Sequence, residues 1–483
     1  MNPKHPLRLT LAGTLLGLAA TFVSSGLLGI AQAQDSAEIP KRASIAIENV
    51  AVVDVVRGEI VSPRTVLIID GRIAAMREPD VLAIPLEAVR VDGRGRYLMP
   101  GLVDMHVHLF NDASRRPPND WAFPLFVANG VTGIREMRTE AASMATVENW
   151  RTKAARGEII APRVLAAGVA VSGETADAAR RQVREAKAAG ADFLKIFSGV
   201  REPQYRAIID EARALRMPVC GHIPSEVSLL DGASAGQRSN EHLIQVYEAC
   251  SEKEKHWLDA RKGLERIELE KVRERQEQEV LESFDQSACD SSAVELARTK
   301  QVQVPTLTLA YSESRGTPKD SRDDPRWRYL RADEQARWER IFKEGYPAAG
   351  DKLPALRWEV SQQIVKTLHR AGVRILAGSD APMPQVYPGF SLHKELELLV
   401  EAGLNPADAL RAATIGPAEF LGFSEGAGSI AVGKRADLLL LDGNPLADIT
   451  QTQRIRAVVL DGRLLQRADL DRLLETARNA QAK

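Results

Sequence analysis

Eight short apolar runs alternating with amphipathic helical stretches predict an α/β protein, a closed (β/α)8 TIM barrel over residues 99–424. Strand-rich segments at both chain ends, residues 43–98 and 425–468, predict a small β-sandwich domain assembled from the two together. Side chains able to do chemistry stand at the ends of the apolar runs, which is where barrels of this kind gather their reactive groups.

In chain order, the first 33 residues come before any of this. They carry Lys4 and Arg8, then an apolar stretch without charge, and end in "AQA". A basic start, an apolar centre and a small-x-small signal predict a secretory signal peptide cut after Ala33, hence a secreted, periplasmic protein. An uncleaved anchor is the alternative, since the apolar run is nearly long enough to span a bilayer. In residues 43–98, "SIAIENVAVVDVV", "RTVLIIDGRIAAMRE" and "AVRVDGRGRYLMP" read as strands, with Asp-Gly turn signals at 70–71 and 92–93. The pattern returns in "GKRADLLLLDGNPL" and "RIRAVVLDGRLL" near the C-terminus.

The barrel strands are "GLVDMHVH", "GVTGIREMR", "PRVLAAGVAVS", "ADFLKIFS", "MPVCGH", "RSNEH", "VQVPTLTLA" and "VRILAGSD". Helical periodicity separates most of them, as in "ADAARRQVREAKAAG" and "SQQIVKTLHRAG". Two helical inserts, at about 250–300 and 311–350, interrupt the alternation on either side of the seventh strand. Their mixed charge fits a solvated excursion, and their position fits a lid over the barrel mouth.

Bulk properties narrow the function. The formal net charge of −1 over 483 residues gives no electrostatic case for nucleic acid. The 3 Cys are too few and scattered for a disulfide framework, although a Cys250–Cys289 bridge is open to a protein in an oxidising compartment. Against that plain background the strand ends stand out. His106 and His108 are two residues apart in a strand and so share a face. Lys195 ends the fourth strand, His222 the fifth, His242 the sixth and Asp380 the eighth. Four of the 8 His thus sit where imidazole ligands to a transition metal would be gathered.

These residues carry a resemblance. The pieces "PGLVDMHVH", "GADFLKIF", "GHIP", "SNEHL", "GSDAP", "LHKELELLVEAGLNPADALRAAT" and "GSIAVGKRADLLLLDGNPL" resemble the metal-dependent amidohydrolase superfamily over residues 43–468. The nearest branch is the one related to Xaa-Pro dipeptidases and imidazolonepropionase. The resemblance implies two divalent ions, zinc first, with Mn, Co or Fe acceptable to the same donors. His106, His108 and Asp380 would hold the more buried ion and His222 and His242 the other. Lys195, carboxylated on its amine, would bridge them; an unmodified Lys195 reaching solvent would leave a one-metal site.

The implied activity is hydrolysis of a C–N amide bond in a small molecule, a dipeptide or N-acyl amino acid, with Asp380 as ligand and proton acceptor. The same ions would serve a lactonase, an esterase or a cyclic amidohydrolase, and a non-catalytic barrel that only binds is the reading from another class. Arg135, Arg138 and Tyr247 are candidates for a substrate carboxylate, each with a structural role as the alternative. Glu136 stands where the resembled family often has Asp, which fits a supporting role. His393, opening a long helix, fits capping or hydrogen bonding to the site better than ligation. A homo-oligomer is left open.

Overall fold

The computed structural model describes residues 42–110 and 117–479. The predicted signal peptide, residues 1–33, lies outside the described residues.

Strands from both chain ends do pair. β1 (Ile45–Asp54), β2 (Glu59–Ile69), β3 (Arg72–Arg77), β4 (Val89–Asp92) and β5 (Tyr97–Pro100) join β13 (Leu438–Leu441), β14 (Ile455–Leu460) and β15 (Arg463–Gln466). Hydrogen bonding links them in one continuous path, ordered β15-β14-β13-β5-β1-β2-β3 with β4 beside β1. Two register shifts interrupt β1 around Val50, of the kind that bends a strand without breaking its pairing. The run "LLLL" of β13 is buried at every position. Leu438 and Leu440 pack into the sheet's own apolar cluster, whereas Leu439 and Leu441 face the main core. A strand covered on both faces has no need of polar alternation.

The second sheet is parallel and has seven strands in sequence order: β6 (Leu102–Val107), β7 (Val131–Thr139), β8 (Arg163–Ala170), β9 (Phe193–Ile196), β10 (Val219–Gly221), β11 (Ser239–Glu241) and β12 (Val302–Val304). The eighth expected strand, residues 373–380, forms no ladder of its own. It bridges the two open edges instead, pairing Ile375 with Gln303 and, just past its end, Ala381 with Val107. Leu376 N–H donates to Gln303 O at 2.9 Å and Asp380 N–H to His106 O at 2.8 Å, so the ring is nearly closed.

The seventh expected strand is shorter than its apolar run. Pro305 supplies no N–H to a ladder, Thr306 turns to a φ of 46°, and "LTLA" begins a helix, Leu307–Arg315. The first insert is helical as expected, in Glu254–Arg261, Arg266–Glu282 and Gln286–Thr299. Cys250 and Cys289 are bonded, tying the end of β11's following turn to the last of these helices. Among the described residues no helix is long and apolar enough to cross a membrane.

Candidate active site

All six residues singled out at strand ends converge. His106 is fully buried on β6, and its ring centroid lies 5.2 Å from that of His108 and 4.6 Å from that of His242. His222 and His242 are 5.1 Å apart, centroid to centroid. Asp380 Oδ1 sits 2.9 Å from His108 Nε2 and 3.2 Å from His106 Nε2. Donor atoms of His106, His242 and Asp380 all lie within 4.8 Å of one another. Lys195, His108, His222, His242 and Asp380 line one cavity of about 530 Å³. Asp380 and His242 adopt left-handed backbone, φ 66° and 59°, a conformation that costs energy in non-glycine residues and gathers at functional sites.

Neighbouring groups fix which nitrogen each ring presents. His106 Nδ1 is 2.9 Å from Glu241 Oε2, and because that carboxylate is a pure acceptor the ring donates there and turns the Nε2 lone pair inward. His242 Nδ1 is 2.7 Å from Thr306 Oγ1, whose own proton goes to Pro305 O at 2.8 Å, so His242 also donates from Nδ1. Ser198 N–H donates weakly to His222 Nδ1 at 3.3 Å.

Burial holds the rings neutral. It drives His106 and His222 well below the usual imidazole value and His242 to about 4. Burial also pulls Lys195 down to about 8. For Asp380 burial acts the other way, but His242 and Lys195 in their protonated forms, with the His108 ring at 2.9 Å, outweigh it and lower the carboxyl. Neutral imidazoles, a partly neutral amine and an ionised carboxylate are the protonation states a cation requires of its ligands.

The donor set therefore fits a metal, and a specific observation supports it. His106 Nε2, His108 Nδ1, Lys195 Nζ and Asp380 Oδ1 are buried and make no hydrogen bond among the described residues. Such orphaned polar atoms are costly in a protein interior unless a group such as a cation satisfies them.

The other candidates separate. Arg138 and Tyr247 line the cavity. Tyr247 Oη is 2.8 Å from Ser361 Oγ, whose proton goes to Arg357 O, so the phenol donates to the serine. Arg135 does not reach the cavity, which corrects the expectation that it meets substrate. On β7 it shares a face with Met137, which packs in the inner core, and its guanidinium donates to Met105 O at 2.6 Å, Ser239 Oγ at 3.1 Å and both oxygens of Glu241 at 3.0 Å. Glu136 accepts from the N–H groups of Leu109 and Arg138, and burial pushes it up to about 8. His393 is remote from the ligands, bonded to Thr452 Oγ1 and Asn129 O at 2.9 Å each.

Sequence reasoning overlooked Asp104, Glu241 and Thr306. Asp104 accepts from Ser379 N–H at 2.9 Å, Ser379 Oγ at 2.5 Å and His106 N–H at 3.2 Å, clamping β6 to the segment that delivers Asp380. For Asp104 the available signal was an acid inside an otherwise apolar strand, in "GLVDMHV".

A family model described as the amidohydrolase family matches residues 97–465. The chain belongs to the amidohydrolase family. That membership makes it an enzyme of a generally metal-dependent family, in keeping with the donor cluster. Among solved structures, one described as a prolidase from Bifidobacterium longum is 26% identical with a TM-score of 0.60, covering 91% of this chain and 100% of that one. A Xaa-Pro dipeptidase with methionine bound in its active site, 18% identical with a TM-score of 0.60 over 88% and 100% of the two chains, shares the fold. Among curated proteins, the adenine deaminase of Desulfatibacillum aliphaticivorans is 28% identical over 219 residues, 42% of this chain and 37% of that protein. The match thus spans only about a third of such curated relatives, 37% and 33% for the first two.

One buried acid outside the donor cluster makes the amidohydrolase pH-sensitive. Glu395, on the helix Phe390–Glu401, accepts from Thr308 N–H at 2.8 Å, and burial raises it from 4.5 to about 8. Between these values the folded chain holds the proton and the unfolded chain releases it. The contribution of Glu395 to stability therefore falls as pH rises from about 4.5 to 8, and urea denaturation at intervals across that window will show the wild type losing stability relative to Glu395→Gln.

Proposed function

We propose that the chain hydrolyses a C–N amide bond of a dipeptide or N-acyl amino acid, using two divalent ions, zinc first among Zn, Mn, Co and Fe. The observation that carries this reading is the convergence of six donor side chains at the strand ends, five of them lining one cavity and His106 packed against them. His106, His108 and Asp380 would hold one ion, His222 and His242 the other, and Lys195 would bridge them as a carbamate. Carbamate formation needs a neutral amine, which joins CO₂ through an N–C bond and releases a proton; burial of Lys195 favours that form.

Bound there, the ions supply Lewis-acid activation of water and of the scissile carbonyl. The protein's own share is positioning and proton transfer. Glu241 and Thr306 hold two imidazoles in the tautomer that presents Nε2. Asp380, ionised and aimed into the cavity, takes a proton from the attacking water and later delivers it to the leaving amine nitrogen. Ile244, Val280, Leu281 and Leu309 supply apolar wall to the cavity.

We place the enzyme outside the cytoplasm, in the periplasm. The reading rests on the N-terminal segment and on the Cys250–Cys289 bond, which suits an oxidising compartment. The substrate reading is tested on protein reconstituted with each of the four metals and bicarbonate, screened against dipeptides, N-acyl amino acids, lactones and aryl esters. Amine release from the first two groups is the expected result. Turnover confined to esters or lactones overturns the amide reading, and the lack of any turnover alongside full metal content favours a binding protein.

A further inference from the structure

The first helical insert supplies part of the cavity wall. Its helix Arg266–Glu282 sets Arg273, Glu277, Val280 and Leu281 at i, i+4, i+7 and i+8, one face of a helix, and all four line the cavity. Three of the five arginines around the cavity are matched. Arg261 donates to Glu248 at 3.1 Å, Arg357 pairs with Glu277 and with Glu313 at 2.8 Å, and Arg337 pairs with Glu334 at 2.5 Å.

Two of these arginines are not matched. Among the described residues neither Arg138 nor Arg273 has a carboxylate within ion-pairing distance. Arg273 donates to Ser198 Oγ at 2.9 Å, and the Arg138 guanidinium stands 5.6 Å from the Phe197 ring centroid. Phe197 in turn packs 5.2 Å from the His222 ring and 5.1 Å from Lys195 Nζ. Both guanidiniums are thus anchored on adjacent residues, Phe197 and Ser198, immediately beyond β9 and beside two of the proposed metal ligands.

A guanidinium facing a largely apolar cavity keeps its fork of donors for a planar anion, and a carboxylate matches it bidentately. We infer that Arg138 and Arg273 form the subsite for the free α-carboxylate of the amino acid released on hydrolysis, and that the insert thereby sets specificity. This rests on the amide-hydrolysis reading and sharpens it. The substrate class is amides whose amine half is an amino acid with a free carboxylate and an apolar side chain against Val280 and Leu281. Amidated or lactam analogues fall outside it.

The test measures product binding, so that no turnover is needed. Calorimetry compares L-leucine with L-leucinamide on the metal-loaded wild type, Arg138→Gln and Arg273→Gln, with metal content and circular dichroism as folding controls. The wild type will prefer leucine by on the order of 10–100-fold, and each variant will lose most of that preference. Equal binding of the two compounds by the wild type overturns the proposal. So does a preference that survives in both variants, which would place the carboxylate on the metal ions. Where a variant fails to fold, Arg273→Lys, which keeps the charge but not the fork, replaces it and is expected to keep only part of the preference. Dipeptide hydrolysis without a leucine preference refutes this subsite and leaves the amide reading standing; an arginine-dependent preference without hydrolysis of any dipeptide or N-acyl amino acid refutes the amide reading instead.

Discussion

Asp380→Asn lowers kcat by about 10²–10⁴-fold while metal content stays at the wild-type level, the range expected when a general acid–base is removed. The amide keeps an oxygen in the position of Oδ1, which lies 2.9 Å from His108 Nε2, so a donor to the ion survives. It cannot accept a proton from water or return one to the leaving nitrogen. Rates of amine release, measured together with metal content by mass spectrometry, check this. Parallel loss of metal and activity would reduce Asp380 to a ligand and move the proton-transfer role elsewhere.

Arg135→Leu destabilises the protein by about 3–5 kcal/mol, the usual cost of leaving one partner of a buried ion pair uncompensated. Arg135 and Glu241 are both fully buried, and their oxygens and nitrogens meet at 3.0 Å. Without the guanidinium, Glu241 either stays ionised without its cation or takes up a proton, and in the second case it no longer fixes the His106 tautomer. Adding Glu241→Gln to Arg135→Leu should recover part of the lost stability, because the stranded charge is gone, without restoring activity. Urea denaturation of chelator-treated single and double variants measures the difference. An unchanged midpoint accompanied by a raised KM would return Arg135 to the substrate-binding role first expected of it.

The ligand-type residues were legible because strands report position and chemistry together. A two-residue spacing puts His106 and His108 on one face, and a histidine or acid closing an apolar run marks the end of a strand. The supporting layer was harder to see. Glu241 precedes His242 directly, and only the left-handed turn at His242 lets consecutive residues serve the same site from different sides. Arg135 reads as exposed chemistry in "GIREMR", yet strand alternation places it with Met137 below the cavity.

The eighth strand shows a different limit. Its sequence signals a strand and its backbone is hydrogen-bonded on both sides, but Gly378 and the turn at Asp380 restrict it to single bridges. Gly378 is required there, since a Cβ would meet His106 Cβ at 2.8 Å and His106 N at 2.9 Å. In the first insert the charged surface of Arg266–Glu282 concealed a cavity-facing stripe, because Arg273 and Glu277 belong to the wall as much as Val280 and Leu281 do.

Two ions held by six side chains form the central claim, and a crystal grown with bicarbonate and excess zinc tests it most directly. The account predicts two anomalous peaks, one among His106, His108 and Asp380 and one beside His222 and His242, with density for a carbamate on Lys195 between them. An empty cavity, or a single ion with the Lys195 amine unmodified and pointing away, would contradict it.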